Sequence, residues 1–242
     1  PISSDWIFIN GVFHPLACSS MHRTGERIKP IRSGLREKIR YNQSKKLHVK
    51  GYCMSPIQAQ RAVRGRFLDI QHTVSQAADI PQAIRYLEDG LIITTEGKIT
   101  WFGTWQDAQA HLPKQVEIQH YPEQLIVPGF IDTHIHYPQT EMVGAYGEQL
   151  LSWLNTYTFP TELQFKDRNY AEHIAHFFIQ ELLKNGTTTA LVFCTVHPES
   201  VDALFEAAAQ HQMRLIAGKV MMDRHAPDDL CDTAESSYND SK

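Results

Sequence analysis

Cysteine is scarce and carries no pattern. Cys18, Cys53, Cys194 and Cys231 form no CxxC pair, which argues against a disulfide framework and reads as reduced thiols of a cytoplasmic protein. Long apolar runs are also missing: none approaches the ~20 residues of a membrane-spanning helix. The best candidate for a leader, WIFINGVF at 6–13, is broken by Asn10 and Gly11 and has no basic segment ahead of it, so it does not read as a signal peptide. Neither GxGxxG nor GxxxxGK[ST] follows any β-rich run, which argues against the nucleotide-phosphate folds.

What is present is an ordinary globular composition, 242 residues with 42% hydrophobic and 21% charged, ample for a real core in one or two domains. The charge is uneven. Residues 1–62 hold 11 Lys and Arg against 3 Asp and Glu, and residues 63–242 hold 12 against 24, within an overall net charge of −4. Such a step marks a junction between different kinds of sequence. Residues 1–53 show no sustained period of 2 or 3.6 and are interrupted by Gly25, Pro30 and Gly34. A nucleic-acid or anionic-surface arm is one reading. No base-stacking aromatic array or nucleic-acid module accompanies the charge, and the chain opens on Pro1 rather than Met. The expectation is therefore an atypical basic extension outside the fold, with nucleic acid not a partner.

From Val63 the pattern changes. RGRFLDIQHTV alternates as a strand does, GLIITTEGKITWFG at 90–103 reads as a hairpin around Glu96-Gly97, and VEIQHYPEQLIVPGF adds further strand. Residues 54–126 are expected to form a small β-sandwich-like domain. Residues 127–242 then alternate strand and helix. FIDTHIH reads as a strand, and DRNYAEHIAHFFIQELLKNG as an amphipathic helix with Ile174, Phe177, Phe178, Leu182 and Leu183 as its stripe. TTTALVFCTVH reads as a parallel strand buried on both faces. PESVDALFEAAAQHQ is a second helix opened by Pro198, RLIAGKVMMD a third strand with Met221 and Met222 in the core, and TAESSYNDSK the start of a further element. The fold class is α/β with a parallel sheet, doubly wound or barrel. A (β/α)8 barrel needs about 250 residues, so on that reading the chain supplies the amino-terminal half.

The chemistry lies in VPGFIDTHIHYPQ at 127–139. Side chains alternate across a strand, so His134 and His136 share one side while Ile135 faces the other. Two imidazoles there can converge on one ion at ~2.0–2.1 Å for zinc. Asp132 is expected on that same side as a supporting partner. In a barrel, the carboxyl end of a strand is where catalytic groups sit, and YPQTEMVGAYGEQ follows as a polar loop over that mouth.

VPGFIDTHIH resembles the first strand of the metal-dependent amidohydrolase superfamily, and the wider stretch is similar to its guanine-deaminating branch. The resemblance runs from about Ala62 to Lys242 and rests on HIHYPQ, LLSWLNTYTFPTE at 150–162, KNGTTTALVF at 184–193 and GKVMMD at 218–223. PGFxDxHxH by itself indicates only the superfamily; the WLNTYTFP segment and the glutamine three residues after the second histidine are the specific part. The resemblance implies an amidohydrolase-type (β/α)8 barrel and zinc held by His134 and His136 together with a histidine and an aspartate from later strands. It implies hydrolysis of guanine at C2 to xanthine and ammonia, with a later glutamate moving protons. His136 and Gln139 belong to a guanine-contacting segment, Gln139 bonding the purine edge, and Leu151 and Trp153 shape the pocket. A cytoplasmic homodimer is the implied assembly. No further zinc ligand or general base of that family falls within this chain, which is expected to be inactive by itself. Two alternatives stand beside this reading: another amidohydrolase, acting on a different purine or pyrimidine or a cyclic amide, or a non-catalytic protein whose basic arm does the binding.

Other candidates read as follows. His197, before Pro198, either faces the mouth or serves the loop and helix start, the latter being favoured. His173 and His176 lie three apart on a helix and read as a solvated flank. Cys194 reads as a buried small hydrophobe. Asp223 and His225 close the third strand, where either could line the mouth.

Overall fold

The computed structural model describes residues 6–9, 60–147 and 149–242; most of the basic extension, with Cys18 and Cys53, lies outside the described residues. A mixed five-stranded sheet is built from β1 (Trp6–Ile9), β2 (Gln60–Ile70), β3 (Ile84–Thr95), β4 (Lys98–Thr104) and β5 (Ile118–Pro128), in the order β1-β5-β2-β3-β4. One helical turn, α1 (Ile80–Ala83), precedes β3, and another, α2 (Trp105–Ala108), follows β4. β2-β3 and β3-β4 are antiparallel, whereas β5 runs parallel to both β1 and β2. β1 comes from the segment that the charge step sets apart. Among the described residues these strands make one sheet, not two stacked layers.

Local chemistry explains the joints. Glu96 and Gly97 both have positive φ, 49° and 77°, as a two-residue hairpin between right-twisted strands requires. Pro122 has no N–H to give the ladder, and the β2-β5 register slips between Gly65 and Arg66, whose partners are Tyr121 and Leu125. Alternation then builds a core on each face: Val63, Phe67, Ile92 and Ile126 on one, Ala62, Leu91, Ile93 and Ala108 on the other.

Pro128-Gly129 turns the chain from this sheet into β6 (Phe130–His136) of a second one. A Cβ at Gly129 would lie 2.0 Å from Thr188 Oγ1, so only glycine lets the corner approach the neighbouring strand. The second sheet is β6-β7-β8, all parallel, with β7 at Thr187–Phe193 and β8 at Arg214–Gly218. A helical run of 150–166 fills the first crossover. It begins with α3 (Leu150–Trp153), widens into a π turn (Leu154–Thr158), continues as α4 (Phe159–Glu162) and ends in a 3-10 turn (Leu163–Lys166). The π turn ends just before Phe159-Pro160, where the proline cannot donate to the preceding turn. α5 (Arg168–Lys184) and α6 (Pro198–Gln210) complete the crossovers, and α7 (Ala234–Asp240) follows β8 behind a Thr233 capping box.

α5 is N-capped by the Asp167 carboxylate, which accepts from Asn169 N, and α6 carries Pro198 at its start. Ile174, Ala175, Phe178 and Ile179 of α5 pack with Ala203, Leu204, Ala207 and Ala208 of α6 over Ala190, Val192 and Cys194. Both helices therefore lie on one side of the parallel sheet. Three expectations are corrected here. Phe177 is 49% exposed, because one residue before Phe178 means ~100° around the helix, off the stripe that Ala171, Ile174 and Phe178 define. β7 is buried on one face only: Leu191, opposite the helices, is exposed. Met221 is 59% exposed and Met222 half-buried, since β8 ends at Gly218 and its alternation ends with it. Among the described residues no helix is long and apolar enough to cross a membrane.

Candidate metal centre at the carboxyl end of strand β6

Ile135 packs into the core beneath the helices, so its neighbours His134 and His136 project from the opposite, open face. Their ring centroids are 5.3 Å apart and tilted by 55°. Two imidazoles bound to one tetrahedral zinc through nitrogens at ~2.0–2.1 Å would have centroids about 5 Å apart, so the pair fits a shared ion. Phe193 holds it from below: in register with His136 across the β6-β7 ladder, it stacks on His136 at 4.7 Å and tilts against His134 at 4.9 Å. His136 is half-buried and His134 exposed. Burial, helped by the neighbouring His134, depresses the His136 pKa, which favours the neutral ring that a metal requires. Among the described residues no group of three or more His, Cys, Asp or Glu is placed to hold a metal.

Asp132 departs from its expected place. The β6-β7 register shifts between Asp132 and Ile135, which breaks the simple alternation that would align its side chain with the histidines. Its Oδ1 accepts from the backbone N–H of His134 at 3.0 Å, an Asx-type bond two residues on. It shapes the strand that carries the two histidines, and among the described residues neither imidazole is its hydrogen-bond partner.

After His136 the chain leaves the ladder in a 3-10 turn, Tyr137–Met142. Tyr137 and Pro138 are buried and Gln139 half-buried. Tyr137 meets Phe165 edge-on at 5.0 Å, and Thr140 Oγ1 donates to the Tyr137 carbonyl at 2.6 Å. Leu151 is exposed on α3, while Trp153 is half-buried against Gly147. α4 packs against the 3-10 turn that carries Gln139. It holds Glu162, only 8% exposed, whose carboxyl is pushed up to about 7 by burial.

His197 occupies the N-cap position of α6 without a side-chain capping bond. Its backbone is held by Thr195 and Ser200, and its buried Nε2 has no hydrogen-bond partner among the described residues. His173 is exposed, and His176 packs edge-on against His211. Burial pushes the Cys194 thiol up to about 12, which suits a core residue and not a nucleophile. Asp223 and His225 are exposed. Sequence reasoning missed the ion pair that does close β8, Lys219 with Asp232, its side chains 3% and 11% exposed. Thirteen residues separate the two, and no local period links them. Glu162 was also missed as a titrating group, although TFPTE was singled out as a motif; its burial is a tertiary property.

Parallel strands joined by crossover helices thus carry a histidine pair at the carboxyl end of the first. Residues 125–242 match the amidohydrolase family profile. The chain is similar to guanine deaminases. The one from Escherichia coli K12 is 59% identical over 189 residues, covering 78% of this chain and 43% of the relative. Its solved structure superposes with a TM-score of 0.72 at 60% identity, over 75% of this chain and 42% of that one. The Clostridium acetobutylicum guanine deaminase (solved as the C. acetobutylicum enzyme with guanine bound in its active site) gives a TM-score of 0.63 at 30% identity, over 75% and 41%. Atrazine chlorohydrolase from Arthrobacter aurescens, solved with zinc, shares the fold at 21% identity, with a TM-score of 0.57 over 74% and 41%. The chain thus spans about four-tenths of the length of these relatives.

Proposed function

We propose that this chain carries the amino-terminal part of a zinc-dependent hydrolase that converts guanine and water to xanthine and ammonia. The observation that carries the reading is the His134–His136 pair on Phe193, followed within three residues by Gln139, in a segment 59% identical to the E. coli guanine deaminase. On this reading residues 127–242 are the first three strands of a (β/α)8 barrel behind a small β-domain at 54–126. The open face of β6-β7-β8, opposite the helices, is its lumen. The side on which α5 and α6 pack supports that assignment.

His134 and His136 would hold the metal, their second-face neighbour Ile135 locking the strand into the core. Zinc, when bound, supplies Lewis acidity sufficient to lower a water's pKa to ~7. The chain's own part is orientation. Phe193 fixes the two rings, burial keeps His136 neutral, and Gln139 offers an amide that both donates to and accepts from the purine edge. Leu151 and Trp153, on the helix after the loop, would close the pocket side. The remaining ligands and the proton-moving carboxylate would come from beyond residue 242, and the complete enzyme would act as a cytoplasmic homodimer.

The test is a chimera in which residues 60–242 replace the matching segment of the E. coli enzyme. Zinc content and the release of xanthine and ammonia from guanine are measured. Turnover of guanine supports the assignment; turnover of cytosine or adenosine in its place sinks it.

A further inference from the structure

His136 is held by the sheet, since it pairs with Phe193 in the β6-β7 ladder. Gln139, three residues on, has no ladder. It sits in the 3-10 turn, and something else must fix that turn if an amide there is to read a purine. The side chain between them does so. Tyr137 is fully buried, lies edge-on to Phe165, and its hydroxyl donates to the Ser200 carbonyl at 3.1 Å, with the Ala171 carbonyl at 3.5 Å. It thereby ties the turn to the first turns of both α5 and α6.

The far end of that tie is itself immobilised. Ser200 Oγ donates to the His197 carbonyl at 2.8 Å and accepts from Thr195 Oγ1 at 2.9 Å and Thr195 N at 3.1 Å. The loop after β7 is thus a closed knot, all of it buried. On the near side, Thr140 Oγ1 closes on the Tyr137 carbonyl. The load path runs from the knot through the Tyr137 ring into the turn that carries Gln139. It does not pass through His136.

We infer that Tyr137 is a positioning residue for substrate: through its hydroxyl it fixes Gln139, and so sets guanine recognition without setting metal retention. The inference rests on the functional reading above and adds to it which residue governs the recognition loop.

The test uses the same chimera with Tyr137→Phe, which keeps the ring and its packing and removes only the hydroxyl. Losing one net hydrogen bond predicts a rise in KM for guanine of roughly three- to tenfold, with kcat nearly unchanged and zinc per protein equal to the parent. Amide hydrogen exchange should quicken across 139–142 and stay unchanged across 131–136. Ile179→Val, in the same core and without a bond to the turn, should lower stability and leave KM and the exchange of 139–142 alone. Unchanged KM together with unchanged exchange would overturn the inference, as would zinc lost in proportion to activity. Should the parent chimera fail to turn over guanine, the functional reading falls, and the exchange comparison by itself decides whether Tyr137 holds the turn.

Discussion

Glu162 is a carboxyl that folding makes harder to ionise. It is 8% exposed, no hydrogen bond reaches its carboxyl among the described residues, and burial moves its pKa from the ordinary 4.5 to about 7. The sign follows from proton uptake. Between those two values the folded state holds a proton that the unfolded chain has released, so stability falls as pH rises from 4.5 through 7 and levels off above. A shift of this size corresponds to about 3 kcal/mol, at ~1.4 kcal/mol per unit. Glu162→Gln places a neutral isostere in the same space. Unfolding by urea, measured on the chimera at pH 5 and pH 8, should show the parent losing up to ~3 kcal/mol at the higher pH. The variant should show no such loss, matching the parent at pH 5 and exceeding it at pH 8. A variant less stable than the parent at pH 8 would refute the reasoning, because it would mean that the carboxylate is ionised and paired with a cation in the complete protein.

Three further outcomes are expected. His134→Ala removes one of the two proposed ligands, and zinc measured by elemental analysis should fall well below one per chain in the chimera, with turnover falling alongside it; full zinc content would remove His134 from the ligand set. Gly129→Ala forces a Cβ into the Thr188 side chain, and overpacking of this kind costs ~1–3 kcal/mol, to be read as a lowered urea midpoint; an unchanged midpoint would show that the corner yields freely. Residues 60–242 produced alone should aggregate, since Ile131 and Ile216 are 69% and 58% exposed on strands at the two edges of the parallel sheet. A monodisperse species on size exclusion, holding stoichiometric zinc, would contradict that expectation.

Much of this architecture is readable locally. The Glu96-Gly97 hairpin, the Asp167 cap, Pro198 at the start of α6 and the alternation of His134, Ile135 and His136 all depend on residues at most four apart. Their physics is dihedral preference, orphan N–H groups and strand period, which the chain carries wherever it goes. That is why the same-side placement of His134 and His136 and the order of strands and helices could be read from sequence. The same local rules failed where period competed with packing. Phe177 looked like part of the α5 stripe until the helix phase put it in solvent, and Asp132 looked aligned with the histidines until a register shift turned it to the His134 amide.

Other features belong to the tertiary structure alone. The Tyr137 hydroxyl meets Ser200 across 63 positions, Phe193 lies against both imidazoles only because β6 and β7 are parallel and in register, and Lys219 finds Asp232 after β8 has ended. Glu162 titrates near neutrality because of what buries it, with nothing in TFPTE to announce the shift. Such contacts depend on the strand-to-strand register and on which side the crossover helices pack. Both are decided by how the whole apolar surface is buried, a sum over distant residues that no short window of sequence contains.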